Sequence, residues 1–545
     1  VVSFDYAQFG ALALNRTRLP VCPTGPAIIT KRDGGPVLAN ARIGATSLDG
    51  RLGKSPFHLD AAAGRFMGEK FALDGLKARM GKNQAPIRFD AARLNGDFAG
   101  RGISGTFTGG EAVIGNVPLL LSEGSGRWNV YHGNITVDSS ATISDRLPNP
   151  RFYPLASNDL HLTIADDWVR ANSSLRHPGS GTRVMDVTVE HRLSSGRGRA
   201  ELNVPSLTFG PGLQPDELTR LTEGVVALVK GTLSGRGRID WDNQGKVTSS
   251  GDFSTANMDL AAPFGPVTGI SGTIHFTDLL GLKTAPGQLM SVQSINPGIL
   301  VENGTIRYQL LPGQLVKIER GEWPFMGGKL VLHETVINFA RPTAKRLTFQ
   351  VIGLDAHVFV QSLGFKEFDA TGTFDGFLPM IFDENGGRIV GGRLDARPGG
   401  GVLAYNGAIN RANLGLAGQF AFDALRNLKF RTMVIRLDGD LAGEFLTRTT
   451  VEGVALGETK AANFLRAIYN LPINLNLTIR GPMRALVATA KSFNDPRRML
   501  GDILPRPLDE IPGITTEVRR LEEHEAQSQT PPAPIEVTTT PTPPQ

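Results

Sequence analysis

The chain has 545 residues, enough to bury a large apolar core, and its composition indicates a turn-rich β protein. Glycine accounts for 65 residues, well above the usual share of about 7%, while only 7% of the residues are aromatic. The 57 basic and 52 acidic residues nearly balance, so no polybasic surface for nucleic acid is indicated. Cys22 is the only cysteine, which excludes an intrachain disulfide and a cysteine-based metal cage.

The N-terminal sequence gives no membrane anchor. The chain begins at Val1 without an initiator methionine or a signal segment, and no run reaches the roughly 18 apolar residues that a membrane span needs. We therefore expect a mature or truncated piece of a longer protein whose anchor is missing.

Short apolar runs separated by glycine pairs and Asp-Gly fill residues 1–210, and this pattern predicts the N-terminal part of a ladder of strands. Residues 211–230 predict one amphipathic helix, because Pro215 suits a first helical turn and Asp216 and Glu217 suit its positive end. The apolar face of this helix would consist of Leu218, Leu221, Val225 and Leu228. We expect the helix to cover apolar surface of the ladder.

Residues 231–410 have the most regular strand pattern. In GTIRYQL, the side chains of Ile306, Tyr308 and Leu310 alternate with polar ones, which is typical of a half-buried strand. Similar runs follow between turn residues: LVKIE, GKLVLH, RLTFQVI, GTFDG, GRIVGGRLDA and GGVLAYNG. The fold class predicted from this pattern is therefore mostly β, with an antiparallel-type sheet and a few short amphipathic helices.

The C-terminal part of the sequence changes character. Residues 411–495 combine two predicted helices, at 414–428 and 459–469, with strands, of which INLNLTIR shows the cleanest alternation in the chain. Residues 496–545 lose this pattern and end in a Pro/Thr-rich stretch, which predicts a largely disordered tail.

Motifs for catalysis and cofactor binding are absent from the sequence. The nine histidines include no pair at i, i+4, and neither a phosphate-binding GxxxxGK[ST] nor a GxSxG nucleophile motif occurs. Paired acids such as Asp166 and Asp167 fall in apparent turns, where Asp is favoured for local hydrogen bonding. We therefore expect no enzymatic activity, no cofactor and no metal site.

Six segments of the central region resemble the C-terminal region of YdbH-type proteins, which belong to the AsmA-like group of Gram-negative envelope proteins. These segments are GTIHF at Gly272, PGQLMSVQSINPG at Pro286, GTIRYQLLPG at Gly304, WPFMGGKL at Trp323, TGTFDGFLPMIF at Thr371 and GGRLDARPGGGVLAY at Gly391. The resemblance implies an elongated, curled β-sheet that forms a trough with a hydrophobic groove. It also implies that this sheet is a periplasm-spanning bridge that carries phospholipid between inner and outer membranes. It also implies an inner-membrane anchor and, near the C-terminal end, a small outer-membrane lipoprotein as partner.

The candidate groove residues are the apolar members of clean alternations, and each could instead be an ordinary core residue. They are Ile306, Tyr308, Leu310, Leu347, Phe349, Val351, Ile435, Leu437, Ile473, Leu475, Leu477 and Ile479. Two acyl chains of about 15 carbons each would cost roughly 24 kcal/mol to place in water, at about 0.8 kcal/mol per methylene. A continuous apolar trough removes that barrier.

Two other classes of function are alternatives to lipid transport. An envelope assembly factor could use an exposed sheet edge to help outer-membrane proteins fold by strand addition. A β-helical enzyme or adhesin acting on polysaccharide would need coils of near-constant length and a carboxylate cluster, and the sequence shows neither.

Overall fold

The computed structural model describes residues 2–9, 12–31, 37–53, 55–81, 86–98, 102–115, 117–223, 225–262, 265–296, 300–341, 343–362, 368–383, 386–406, 428–441, 444–456 and 473–482. The chain divides into two compact units. Unit 1 comprises Val1–Glu223, Gly231–Thr255 and Ile274–Ala285, and unit 2 comprises Gly224–Lys230, Ala256–Thr273 and Pro286–Gln545.

Unit 1 is built from strands. Strands β1 to β17 are Val2–Phe9, Leu12–Leu19, Val21–Pro23, Ile29–Lys31, Val37–Ile43, Thr46–Leu52, Ser55–Ala61, Ala63–Met67, Lys70–Met80, Ile87–Asp97, Gly102–Ile114, Leu119–Tyr131, Asn134–Asp145, Leu155–Ala165, Trp168–Arg176, Arg183–Arg192 and Arg197–Phe209. Strands β18 (Ala227–Trp241), β19 (Val247–Ala262) and β20 (Gly265–Asp278) contribute residues to both units, and β21 (Lys283–Thr284) belongs to unit 1.

Unit 2 contains the remaining described strands and one short helix. Strands β22 to β35 are Gln288–Ile295, Val301–Leu311, Leu315–Phe325, Gly328–Leu332, Thr335–Asn338, Lys345–Asp355, Phe368–Ala370, Thr373–Asp383, Gly386–Ala396, Gly401–Tyr405, Leu428–Phe430, Thr432–Asp440, Glu444–Leu456 and Ile473–Pro482. Helix α1 spans Ala356–Ser362. The strand pairings are antiparallel in both units, which confirms the prediction of a mostly β, antiparallel fold.

The prediction of a single amphipathic helix within residues 211–230 is wrong. The segment contains two 3₁₀ turns, Pro215–Glu217 and Arg220–Thr222, before β18 begins at Ala227. Thr219 separates the turns: its backbone is extended, its hydroxyl accepts a hydrogen bond from the Leu221 N–H, and it donates one to the Arg151 carbonyl. Such side-chain bonding competes with helix formation and outweighs the apolar periodicity.

Other predicted boundaries fall where little or nothing is described. Residues 414–427 and the predicted helix at 459–469 lie outside the described residues, as does the tail at 496–545, while Leu428 begins β32. The five sequence segments therefore stay a prediction as domain limits.

Glycine serves inside strands as well as at turns. Gly353 in β27 and Gly391 in β30 have φ of +71° and +70°, a left-handed conformation that bends a strand locally. The N–H of Gly353 donates to Asp375 Oδ1 at 2.7 Å, and that of Gly391 donates to Asp438 Oδ1 at 2.6 Å. An aspartate of a neighbouring strand thus satisfies the backbone donor that the bend removes from the ladder.

Several in-strand glycines instead make room for aromatic rings. In unit 1, a Cβ at Gly96 would lie 2.3 Å from the Phe71 ring, and one at Gly198 would lie 2.5 Å from the Trp241 ring. The ring covers the exposed backbone of the glycine opposite it, an arrangement that supports glycine in sheets. This pairing accounts for glycine positions that turn chemistry does not explain.

We expect Gly96→Ala to destabilise unit 1 by about 1–3 kcal/mol, because the added methyl group collides with the Phe71 ring. Gly210→Ala is the matched control, because no atom lies within 4 Å of the position of its Cβ. Urea unfolding followed by circular dichroism measures both changes. Equal midpoints for the two variants would contradict the ring-on-glycine account.

A buried histidine, His191, lies on β16 of unit 1. His191 is 3% exposed, and Trp241 Nε1 donates a hydrogen bond to its Nδ1 at 3.1 Å. Burial lowers the pKa of His191 to about 4, against a partial opposing effect of the Asp167 carboxylate. The imidazole is therefore neutral in the folded chain at pH 7.

Acid should destabilise unit 1 through this side chain. Because the folded pKa of about 4 lies below the ordinary histidine pKa of 6.5, the unfolded chain binds more protons between these limits. Stability therefore falls as the pH drops from 6.5 to 4, by roughly 3 kcal/mol in all.

His191→Asn keeps an acceptor for Trp241 and removes the titration, so the variant should lose less stability over this range. The measurement is urea unfolding at pH 7, 5.5 and 4. An identical pH dependence in the variant and the parent chain would refute the assignment.

Candidate lipid-binding face

An apolar row runs across unit 1 from strand to strand. Strand register places each member directly opposite the next, from β8 to β18. This unit 1 row consists of Phe66, Phe71, Gly96, Gly105, Trp128, Val137, Leu162, Ala171, Val189, Ala200 and Ile239. Because side chains of facing residues share one face of a sheet, the row is a continuous strip without a charged side chain.

The opposite face of the same strands is charged. Beside the row, His161 Nδ1 lies 2.6 Å from Asp138 Oδ1 on the neighbouring strand, and Arg199 Nη2 lies 3.1 Å from Glu190 Oε2. The sheet of unit 1 is therefore amphipathic, with ion pairs on one face and aliphatic and aromatic side chains on the other.

The centre of the unit 1 row remains accessible. Trp128, Val137, Leu162, Ala171 and Val189 are half-buried, whereas the last two members of the row are buried. A narrow apolar strip with partial access suits an extended hydrocarbon chain, which buries its methylenes without needing a hydrogen-bond partner.

A second row crosses unit 2. Register aligns Trp323, Leu330, Val351, Gly376, Leu394, Ile435, Thr449 and Leu477 from β24 to β35. Leu330, Val351 and Leu394 are each at most 1% exposed and belong to the large core cluster of the unit. These three members of the unit 2 row are thus covered by side chains of their own unit.

The predicted groove residues fall on or beside these unit 2 strands. Tyr308, Leu347, Phe349, Val351, Ile435 and Leu437 are buried, and Ile306 and Leu310 are half-buried. The side chains of Ile473, Leu475, Leu477 and Ile479 lie outside the described residues, but register sets their positions opposite Val454, Val451, Thr449 and Thr447. Their assignment to a groove stays a prediction.

Sequence reasoning missed the unit 1 row. In GSGRWNV, Gly126 and Trp128 lie on one face, but glycine has no apolar side chain and therefore hides the alternation. The available signal was the alternation on both sides of the His132-Gly133 turn, where Trp128 and Val130 precede Ile135 and Val137.

Polar atoms on the apolar face of unit 2 have unusual surroundings. Trp323 is 3% exposed, its ring lies over Gly304, and its Nε1 has no hydrogen-bond partner among the described residues. Burial also raises the pKa of Tyr308 to about 12, so its hydroxyl stays protonated.

Lys345 shares a cross-strand position with Phe382, which is 1% exposed. Its Nζ donates to the Thr343 carbonyl at 3.1 Å, and burial lowers the pKa of its ammonium.

The described part of the chain contains no group of three or more His, Cys, Asp or Glu side chains that could hold a metal ion. No helix within the described ranges is long and apolar enough to cross a membrane.

A family model described as YdbH-like, intermembrane phospholipid transport protein YdbH, matches residues 10–501. No curated protein and no solved structure matches the chain. The family match confirms the resemblance found in the central segments, and the matched range contains both apolar rows. The chain therefore belongs to the YdbH-like family of intermembrane phospholipid transport proteins.

Proposed function

We propose that the chain carries phospholipid with its acyl chains lying along the apolar rows, in particular the unit 1 row. The observation that supports this proposal most strongly is the unbroken apolar register from β8 to β18, with its half-buried centre. Strands lie about 4.8 Å apart, so ten steps between eleven strands give a strip of roughly 48 Å. Such a strip is longer than a single acyl chain.

Transport along such a strip needs no catalytic group. Each methylene that leaves one apolar position enters an equivalent one, so the free energy changes little between steps, whereas release into water costs about 0.8 kcal/mol per methylene. The energy barrier to leaving the strip is therefore much larger than the barrier to moving along it. On this account the chain is a non-enzymatic carrier.

In unit 2, acyl chains would contact the predicted groove residues only where the opposed apolar side chains separate. Val351 is 0% exposed and Phe349 is 3% exposed, so neither can touch a hydrocarbon chain without movement of its neighbours. The half-buried Ile306 and Leu310 offer the more direct contact. We propose these two as the first unit 2 positions to meet cargo.

Family membership and the resemblance support a proposal for the surroundings of the chain. We place it in the periplasm of a Gram-negative bacterium as a bridge between the two membranes. An N-terminal segment would anchor it in the inner membrane, and a small outer-membrane lipoprotein would bind near its C-terminal end. No described feature favours the alternative role as an assembly factor for outer-membrane proteins.

Val189→Asp should slow phospholipid transfer about tenfold or more, because a carboxylate in the unit 1 row must be desolvated or displaced as each acyl chain passes. Val189 is half-buried, so the charged side chain can keep water contact and the fold should survive. Transfer of a fluorescent phospholipid from donor to acceptor vesicles gives the rate.

The matched control is Thr188→Asp, which adds the same charge at an exposed position on the opposite face of β16. It should transfer lipid like the parent chain. A folded Val189→Asp chain with an unchanged rate would eliminate the unit 1 row as the lipid path. Circular dichroism and urea unfolding establish that each variant is folded.

A further inference from the structure

The ends of two separate groups of strands in unit 1 meet beside the unit 1 row. Leu52, Met80 and Ile87, at ends of β6, β9 and β10, form one buried cluster with Val169 and Leu193, from β15 and the turn after β16. Four strands, β11 to β14, separate β10 from β15 in the ladder, so strand pairing does not produce this contact. We call the contact the seam.

The seam adjoins the proposed lipid path. Leu162 of the unit 1 row packs against the seam cluster, as do its neighbours Ile135 and Ile164. The seam also brings Gly81, which follows β9, close to the turn after β16, since a Cβ at Gly81 would lie 3.8 Å from the Leu193 carbonyl oxygen. The side chains at the ends of β6, β9 and β10 therefore cover one flank of the row.

The carboxylate of Asp167 joins the two groups of strand ends. Asp167 Oδ1 accepts a hydrogen bond from the Ser194 N–H at 3.0 Å, and Ser55 Oγ lies 3.5 Å from the same oxygen. Asp167 Oδ2 accepts from Arg192 Nε at 3.2 Å and from the Ser194 hydroxyl. Ser55 is only 1% exposed and lies 112 residues from Asp167 in the sequence. The carboxylate thus contacts both sides of the seam.

Turn chemistry alone does not explain Asp167. Asp166 and Asp167 have φ of +48° and +72° and connect β14 to β15 in a two-residue hairpin turn. Glycine or asparagine is favoured where both turn residues have positive φ, so the backbone would fold at least as well with glycine at the second position. The carboxylate instead makes contacts beyond the turn, where the sequence had suggested only local hydrogen bonds.

We propose that Asp167 is a positioning residue that keeps the seam shut. Phospholipid then moves along the unit 1 row and does not enter it from this flank. The inference rests on the proposed function for its lipid cargo, but the closed seam itself can be tested without lipid. Arg192, the charged partner of Asp167, lies on one side of the contact, and the buried Ser55 lies on the other.

Thiol reactivity tests whether Asp167 closes the seam. In a Cys22→Ser background, which removes the native thiol, Ser55→Cys should react slowly with a maleimide because position 55 is buried. Adding Asp167→Gly should accelerate the reaction about tenfold or more, since the change suits the turn and removes the contacts. Asp167→Asn should fall between the two.

Asn172→Cys, at an exposed position on β15, is the control thiol and should react equally fast with and without Asp167. Equal reaction rates of Ser55→Cys in both backgrounds would overturn the role of Asp167. Circular dichroism of each variant shows whether a faster reaction reflects seam opening in a folded chain or general unfolding.

A covalent lock tests the direction of passage. Ser55→Cys and Ser194→Cys, joined by a short bismaleimide and verified by mass spectrometry, fix the seam shut. Transfer of fluorescent phospholipid between vesicles should match that of the unlinked double variant, because the cargo does not pass through the seam. Loss of transfer on linking would show that lipid enters there and would overturn the inference. If the unlinked chain transferred no lipid, the proposed function would fail, while the thiol rates would still report on the seam.

Discussion

Strand register is the constraint on which the apolar face depends. Successive side chains point to opposite faces, so a slip of one residue in any strand would turn its apolar positions outward and break the row. A backbone irregularity in one strand therefore has to be matched by irregularities in the neighbouring strands. Gly75 of β9 and Gly109 of β11, both with positive φ, lie on either side of Ala92 in β10, and the pairing continues in phase beyond them. Glycine at these matched positions lets three neighbouring strands change direction without losing the apolar alignment.

The two units use the same apolar register with different outcomes. In unit 2, aromatic and aliphatic side chains such as Trp323 and Phe382 fill the space over neighbouring glycines and close into a large buried cluster. In unit 1, the central positions of the row stay half-buried, and the seam covers one flank of the row. A carrier of hydrocarbon needs an apolar surface that cargo can reach, and the half-buried centre of the unit 1 row is the surface proposed for that role. Membership of a phospholipid transport family supports that proposal.

Local patterns in the sequence predicted the β class and the alternation in β23 and β27, because side-chain period is a local property. The family was predicted separately, from the resemblance of particular central segments. Local patterns failed over residues 211–230, where the hydrogen bond from Thr219 to the Arg151 carbonyl depends on a residue 68 positions away. The unit 1 row was equally invisible, since it is defined by pairing between strands and passes through glycines that resemble turn residues. The seam could not be predicted either, because nothing local connects Ser55 with Asp167.

The most direct test of the account is to ask which face of unit 1 touches lipid. A photoreactive benzoylphenylalanine at Val137, in the unit 1 row, and at Thr136, on the opposite face of β13, would be activated in an envelope-bearing bacterium. Mass spectrometry of the purified chain would then identify covalent adducts. We expect phospholipid adducts at position 137 and none at position 136. Adducts at both positions alike, or none at position 137, would contradict an apolar row that carries acyl chains.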